Sequence, residues 1–228
     1  MFLFHFLQRS RNKTEEMDVH FNEAWTPVKL NLISAVDKNM GIGRGHDLPW
    51  RIPSEFHYFL NMTTKPRVSG QNRQNAVIIG RQTWDSMDIV TSKPHPGALN
   101  IVLSRFSPLE PLSYPNTIVC SSLEQAVRKL STDSQYKDVI DTVWVLGGAE
   151  VYRTALMSPH FHRLYLSRIR AEYPCDVFFP EEFDEDLFVR IQYDEIGDNR
   201  VPKGVQKDKT TGVEYEVCVY EHKDSSYR

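Results

Sequence analysis

Ala76–Met87 reads AVIIGRQTWDSM. Its first half is an uninterrupted apolar, β-branched run that stops at Gly80, and its second half takes up a helical pattern, so the stretch predicts a buried strand handing over to a short helix. A strand that is apolar throughout, without alternation, is covered on both faces, and such strands belong to parallel sheets. The same handover recurs along the chain. KLNLISAV (29–36) is a strand followed by a glycine loop, and Pro53-Ser54 then opens EFHYFLNMTT, where Phe56, Phe59 and Leu60 repeat at helical spacing. LNIVLS (99–104) and TIVC (117–120) are further strands, and SLEQAVRKL is a helix with Leu123, Val127 and Leu130 on one face. TVWVLGG (142–148) leads into the helix AEVYRTALM. The last part differs: RLYLSRI (163–169) and LFVRIQY (187–193) are strands with no helix between them, and VEYEVCVYEH (213–222) alternates after the turn Thr210-Thr211-Gly212. That pattern predicts an antiparallel hairpin on the edge of a mostly parallel sheet. One α/β domain over 28–222 accounts for the chain, with an extension at 1–27 and a tail at 223–228.

Composition narrows the function classes. A net charge of −3 over 228 residues gives no field for nucleic acid or an anionic membrane, so the expected partner is a small molecule. Cys120, Cys175 and Cys218 are scattered and fit no disulfide or metal-ligand spacing, which suits a reducing compartment. No apolar run approaches the ~20 residues of a membrane span. MFLFHFL (1–7) is too short for a secretory signal. Arg9, Arg11 and Lys13 before the first acid are shared with mitochondrial transit peptides, but the expected reading is a disordered extension, with Met17 as an alternative start, and a cytoplasmic protein. The NxT triplets at Asn12 and Asn61 are expected to be chance matches.

Three strand ends suit an anion. Gly147-Gly148 precedes a helix, where backbone N–H groups and the helix dipole favour phosphate. Gly80 is followed by Arg81 and Thr83, and Ser104-Arg105 offers a hydroxyl and a guanidinium. Each alone is an ordinary turn; together they point to a dinucleotide carrying an extra phosphate, NADP. Asn39–Trp50, NMGIGRGHDLPW, is also glycine-rich, but Leu48-Pro49-Trp50 stands where a phosphate-binding loop would start its helix. Glu55 borders the apolar face of its helix. His160 and His162 lack a third ligand and read as surface histidines, and Lys203–Lys209 as a solvated loop.

Five segments, LISAV…NMGIGRGHDLPW…EFHYFLNMTT, VIIGRQTWDSM, LNIVLSR, VWVLGGAEVY and DVFFPE, together resemble the dihydrofolate reductases of eukaryotes in order and spacing, from about Leu30 to Glu221. The resemblance implies an α/β fold with an eight-stranded, mostly parallel central sheet and about four flanking helices. It implies NADPH-dependent reduction of 7,8-dihydrofolate in a monomer open to antifolate inhibitors, with no metal. Glu55 would hold the pterin and support protonation of its N5, with Trp50 keeping a water nearby and Leu48 at the site's mouth. For that role, burial has to lift the Glu55 pKa from about 4.3 to near neutrality. The pterin and benzoyl walls would be Ile33, Ala35, Phe56, Phe59, Met87 and Leu146, with Thr83, Tyr152 and Ser167 as polar neighbours. The cofactor would meet Ala35, Ile42 and Gly43 near its nicotinamide, and Gly80, Arg81, Gln82 and Thr83 at its phosphates. Leu103, Ser104 and Arg105 would hold the 2′-phosphate end, and Gly147, Gly148, Ala149, Glu150 and Val151 the pyrophosphate, with a cis Gly147–Gly148 bond. NMGIGRGHDLPW would be a mobile lid.

The chain departs from the family pattern at Ala98, where an arginine normally binds the substrate's glutamate tail; Arg67 and Lys93 are the nearby bases that could stand in. It departs again at Ser121, where an arginine often adjoins the 2′-phosphate, and at His46, where a small residue is usual. Two alternatives follow: a reductase of the same fold acting on another pterin- or pyrimidine-like substrate, or a nucleotide-binding relative without turnover.

Overall fold

The protein is described by a computed structural model covering residues 28–67, 73–90, 93–106 and 113–224. The expectations for the extension and for residues 225–228 of the tail lie outside these described residues. In chain order the elements are β1 (Leu30–Val36), β2 (Gly41–Gly43), α1 (Pro53–Thr64), β3 (Gln74–Gly80), α2 (Arg81–Val90), β4 (Ala98–Leu103), β5 (Thr117–Cys120), α3 (Leu123–Thr132), β6 (Ile140–Gly147), α4 (Ala149–Leu156), β7 (Phe161–Ile169), β8 (Val177–Phe178), β9 (Phe188–Arg190), α5 (Tyr193–Ile196), β10 (Val205–Lys207) and β11 (Glu214–His222).

β7, β1, β6, β3, β4 and β5 lie side by side and parallel. β11 runs antiparallel beside β7 and carries β10 along one end and β9 along the other. The expected edge hairpin is therefore β10–β11, and β9 makes a ninth strand beside the expected eight. LFVRIQY is shorter as a strand than its pattern suggests. The strand ends at Arg190, with one further bond from Ile191 N to Val219 O, because Gln192 and Glu195 form a capping box that starts α5, and Gly197 ends it in the left-handed region.

Uniformly apolar strands need cover on both faces, and two hydrophobic clusters supply it. Leu30, Leu32, Ala76, Ile78, Val143 and Val145 point to the face packed by Leu123, Val127 and Leu130 of α3 and Ala155 and Leu156 of α4. The alternate residues Ile33, Val77, Ile79 and Trp144 point to the other face, against Tyr58 and Met62 of α1 and Trp84 and Met87 of α2. Period-2 alternation of the strands thus sorts one continuous run into two cores.

On α1 the stripe facing the sheet is Glu55, Tyr58 and Met62, all buried, rather than Phe56, Phe59 and Leu60, which stay half-buried. Helical spacing alone could not separate these adjacent stripes; the aromatic one faces a cavity instead of the sheet.

Candidate functional site

A cavity of about 250 Å³ opens between α1, α2, the ends of β1 and β6, and the segment after β2. Ile33 and Ala35, Phe56 and Phe59, Met87 and Leu146 line it, and so do Thr83, Gly148 and Tyr152. Ile42, Gly43 and Leu48 close it from the glycine-rich segment, and Glu55 forms part of its wall. The helix that carries Glu55 and the strand ends that carry Ile33 and Leu146 are distant in sequence; the parallel order of β1, β6 and β3 makes them neighbours.

Glu55 is 7% exposed. Burial pushes its carboxyl up to about 7, and the Ser167 hydroxyl beside it opposes that shift in part. The Ser167 contact falls short of a formed hydrogen bond, since Ser167 Oγ is buried without a hydrogen-bond partner. Among the described residues no ion pair involves Glu55, so its lost hydration is offset only weakly. Trp50 is 4% exposed, tilts against Tyr173 at 5.3 Å, and leaves its indole N–H buried without a protein acceptor. A buried donor in that state suits an ordered water. Tyr152 donates its hydroxyl to the Ile33 carbonyl at 2.7 Å, so its oxygen holds β1 rather than standing free.

The three anion-friendly strand ends fall together. Register pairs Gly147 with Ile79, Gly80 with Leu103, and Leu103 with Cys120, so the carboxyl ends of β6, β3, β4 and β5 form one rim. A Cβ on Gly80 would stand 2.9 Å from Val151 Cγ2, and one on Gly148 3.0 Å from Thr83 Oγ1. A Cβ on Gly80 would also lie 3.4 Å from Gly147 O, so the two glycine junctions pack closely, and α4 starts from Gly148 without a side-chain cap, leaving its first N–H groups for a ligand. Gly147–Gly148 is cis. On the outer rim Arg81 pairs with Asp85, Ser104 donates to the Phe106 carbonyl at 2.6 Å, and Arg105 is exposed. Gln82, Ala149, Glu150 and Val151 sit in the first turns of α2 and α4, Glu150 in contact with Arg153.

The segment expected to be a lid is held by a ribbon that periodicity did not reveal. β2 pairs with β8, Gly43 O accepts from Asp176 N at 3.0 Å and Met40 O from Phe179 N at 2.8 Å. Asp37, 3% exposed, accepts from the N–H groups of Asn39, Gly41 and Tyr173, tying both sides of the ribbon to β1. Arg44 and Asp47 close a tight turn whose central residues, Gly45 and His46, both have positive φ, as type I′ geometry requires. That is why a small residue suits position 46; histidine there bears a backbone cost of about 1 kcal/mol. At Gly41 the constraint is space: a Cβ would lie 2.5 Å from Cys175 Cβ and closer still to its Sγ. Gly41→Ala should lower stability by about 1–3 kcal/mol in thermal unfolding. Cys175→Gly in the same chain should restore most of it, whereas Cys175→Ala, which keeps the clashing Cβ, should not.

Several cavity residues escaped the sequence reading. Val177 arrives from β8, and Ser34, Ile79 and Ser86 come from elements already named. His95 is 1% exposed, its Nε2 lies 2.9 Å from Thr63 Oγ1, and burial holds its pKa down at about 4. Nothing in the local sequence marks it. Ala98 is buried at the start of β4. Neither base considered as its replacement lines the cavity: Arg67 is bound to Gly197 O and faces Asp198, and Lys93 lies over the Trp84 ring. His160 and His162 are half-buried rather than on the surface, held to Val28 O and Asn31 Oδ1. Among the described residues no helix is long and apolar enough to cross a membrane.

A family model for dihydrofolate reductase matches residues 29–221. Dihydrofolate reductase of Aedes albopictus is 37% identical over 194 residues, 85% of this chain and 97% of that protein. The Sus scrofa dihydrofolate reductase is 40% identical over 193 residues, 84% of this chain and 97% of its own length. The solved structure of Schistosoma mansoni dihydrofolate reductase superposes with a TM-score of 0.66 at 30% identity, covering 85% of this chain and 98% of that one. With the sheet order, the cavity and these matches in agreement over one continuous span, the chain belongs to the dihydrofolate reductase family.

Proposed function

We propose that this protein reduces 7,8-dihydrofolate to 5,6,7,8-tetrahydrofolate with NADPH, and that Glu55 supports the proton that pterin N5 receives. Family membership implies a nicotinamide cofactor; when bound, it supplies the hydride to pterin C6. The observation that carries the reading is Glu55 itself, a carboxyl buried without an ion-pair partner at the wall of an aromatic cavity. A buried carboxyl stays protonated near neutrality and can hydrogen-bond a pterin amide as donor or acceptor. Trp50 N–H supports a water between this carboxyl and the ligand, and Phe56 and Phe59, whose rings stack at 5.9 Å, offer flat surfaces for a planar ring and its benzoyl arm. Tyr152 fixes the β1 backbone against which the pterin would lie.

NADPH rather than NADH is favoured by Ser104 and Arg105 on the rim, with Arg81 nearby. Ser121, exposed and bound to Gln125, adds a hydroxyl but no charge there. We also propose a cytoplasmic monomer that binds antifolates in the same cavity.

The absence of Arg67 and Lys93 from the cavity lining, with the His95 there kept neutral by burial, favours a second reading, in which the glutamate tail contributes little to binding. A spectrophotometric assay of NADPH oxidation should show turnover with dihydrofolate, and 7,8-dihydropteroate, which lacks the tail, should be used with kcat/KM within about threefold, under 1 kcal/mol. No turnover with either substrate would overturn the proposed function. A large preference for dihydrofolate would show that another group recognises the tail.

A further inference from the structure

α1 has no cap of its own. Ile52 stands at its N-cap without a side-chain hydrogen bond, and Pro53 has no N–H to offer, so the first orphan donor is Ser54 N. That N–H is taken by Asp208 Oδ2 at 2.9 Å, from 154 residues further along the chain. The other carboxylate oxygen accepts from Thr210 N at 3.0 Å, Thr211 N at 2.8 Å and Thr211 Oγ1 at 2.9 Å. Asp208 is 2% exposed, and Val213 O and Gly212 N bind its backbone. The turn between β10 and β11 is thereby wound around one carboxylate, whose free side holds the start of α1. These N–H donors, Ser54 and Thr211 first, hold the Asp208 carboxyl well below the usual carboxylate range. It is therefore a permanent anion at a helix N-terminus, a favourable position for one.

The next residue is Glu55. A shift or fraying of the first turn of α1 would change how deeply Glu55 lies and how much water reaches it. We propose that Asp208 is a positioning residue for the reduction, a remote helix cap that sets the depth of Glu55 and with it the pH range in which the enzyme turns over. This rests on the reading of Glu55 as the group that supports protonation.

The groups facing Glu55 from its surroundings are Ser167 on β7, Tyr152 on α4, Tyr215 on β11 and Tyr58 on its own helix. All three tyrosines are raised chiefly by burial and uncharged at working pH; the charged groups beside them are the Arg200–Asp198 pair next to Tyr58 and Asp208 itself next to Tyr215, and none of these is among the causes of the Glu55 shift. Hydration is thus the main variable left to move the Glu55 titration, and more water moves it down toward its solution value.

The test compares Asp208→Ala, Asp208→Asn and Glu55→Gln, alone and combined, by pH profiles of kcat with thermal unfolding alongside. Asp208→Ala is expected to lower kcat at pH 7 by about tenfold and to move the midpoint of the profile down by about one pH unit. Asp208→Asn, which keeps one acceptor oxygen, should fall between it and the parent, and it carries the test if the alanine variant does not fold. In a Glu55→Gln background the Asp208 substitution should have little further effect on kcat. A lowered melting temperature with the parent's midpoint and kcat would overturn the proposal and leave Asp208 a structural cap. Failure of Glu55→Gln to lose activity would strike the proposed function instead, and is read separately in the same series.

Discussion

Glu55→Gln is expected to cut turnover at pH 7 by roughly 100-fold or more, the usual worth of a positioned proton donor, and to make the protein more stable at the same pH. The first effect follows from protonation. With a carboxyl titrating at about 7, the parent is still partly protonated at neutrality and loses the proton as pH rises, so its rate falls through that region. Glutamine cannot supply the proton, and the variant depends on solution protons, so the gap should narrow steadily as pH falls. The second effect follows from linkage. Below the solution value of 4.5 the carboxyl is neutral in both folded and unfolded chains and burial costs little. Between that value and about 7 the folded state keeps a proton that the unfolded state has released, so stability falls as pH rises, and above 7 the whole penalty is present. Its upper bound is about 3 kcal/mol. Glutamine removes it, with Ser167 Oγ available as a partner for the amide. Thermal unfolding should show a higher melting temperature for the variant at pH 8 and little difference at pH 4. A variant as active as the parent at pH 7 would sink the role of Glu55, and equal melting temperatures at pH 8 would show that the carboxyl is hydrated.

Gly147→Ala is expected to cost about 3 kcal/mol of stability, from the combined price of an unfavourable backbone region and overpacking, and to abolish cofactor binding. Gly147 has φ +99°, and a Cβ there would stand 2.7 Å from Tyr152 Cε2 and 2.9 Å from Cζ. Tyr152 cannot withdraw, because its hydroxyl is bound to Ile33 O and its ring packs on Phe179 at 5.1 Å. The strain would fall on the β6–α4 junction, which faces Gly80 and Thr83 across the rim. Fluorescence titration with NADPH should detect no binding at concentrations that saturate the parent. Ordinary affinity in a stable variant would exclude this junction from the cofactor site.

Much of the fold was legible because it is written in periods. Val77 and Ile78, or Trp144 and Val145, need only be apolar in sequence for both faces of a strand to be buried, and Gly80 and Gly147 end their strands where helices begin. The β2–β8 ribbon was not legible, since strands of three and two residues carry no period and owe their pairing to Asp37. The glycine junctions and Glu55 could be singled out from the residues themselves, and Trp50 through family resemblance. The buried His95 could not, because it owes its place to Thr63 and Phe59, distant in sequence.

The sequence by itself determined the alternation of strands and helices, the parallel character of the sheet and the glycines and hydroxyls at individual strand ends. These are local properties, set by side-chain period and backbone freedom. The tertiary structure alone decided that Glu55 lies on the sheet-facing stripe of α1, that neither Arg67 nor Lys93 lines the cavity, and that Asp208 caps the helix carrying Glu55. Each depends on which distant group comes within a few ångströms of another and excludes water there. No local pattern encodes that desolvation, and it is what tunes the carboxyl.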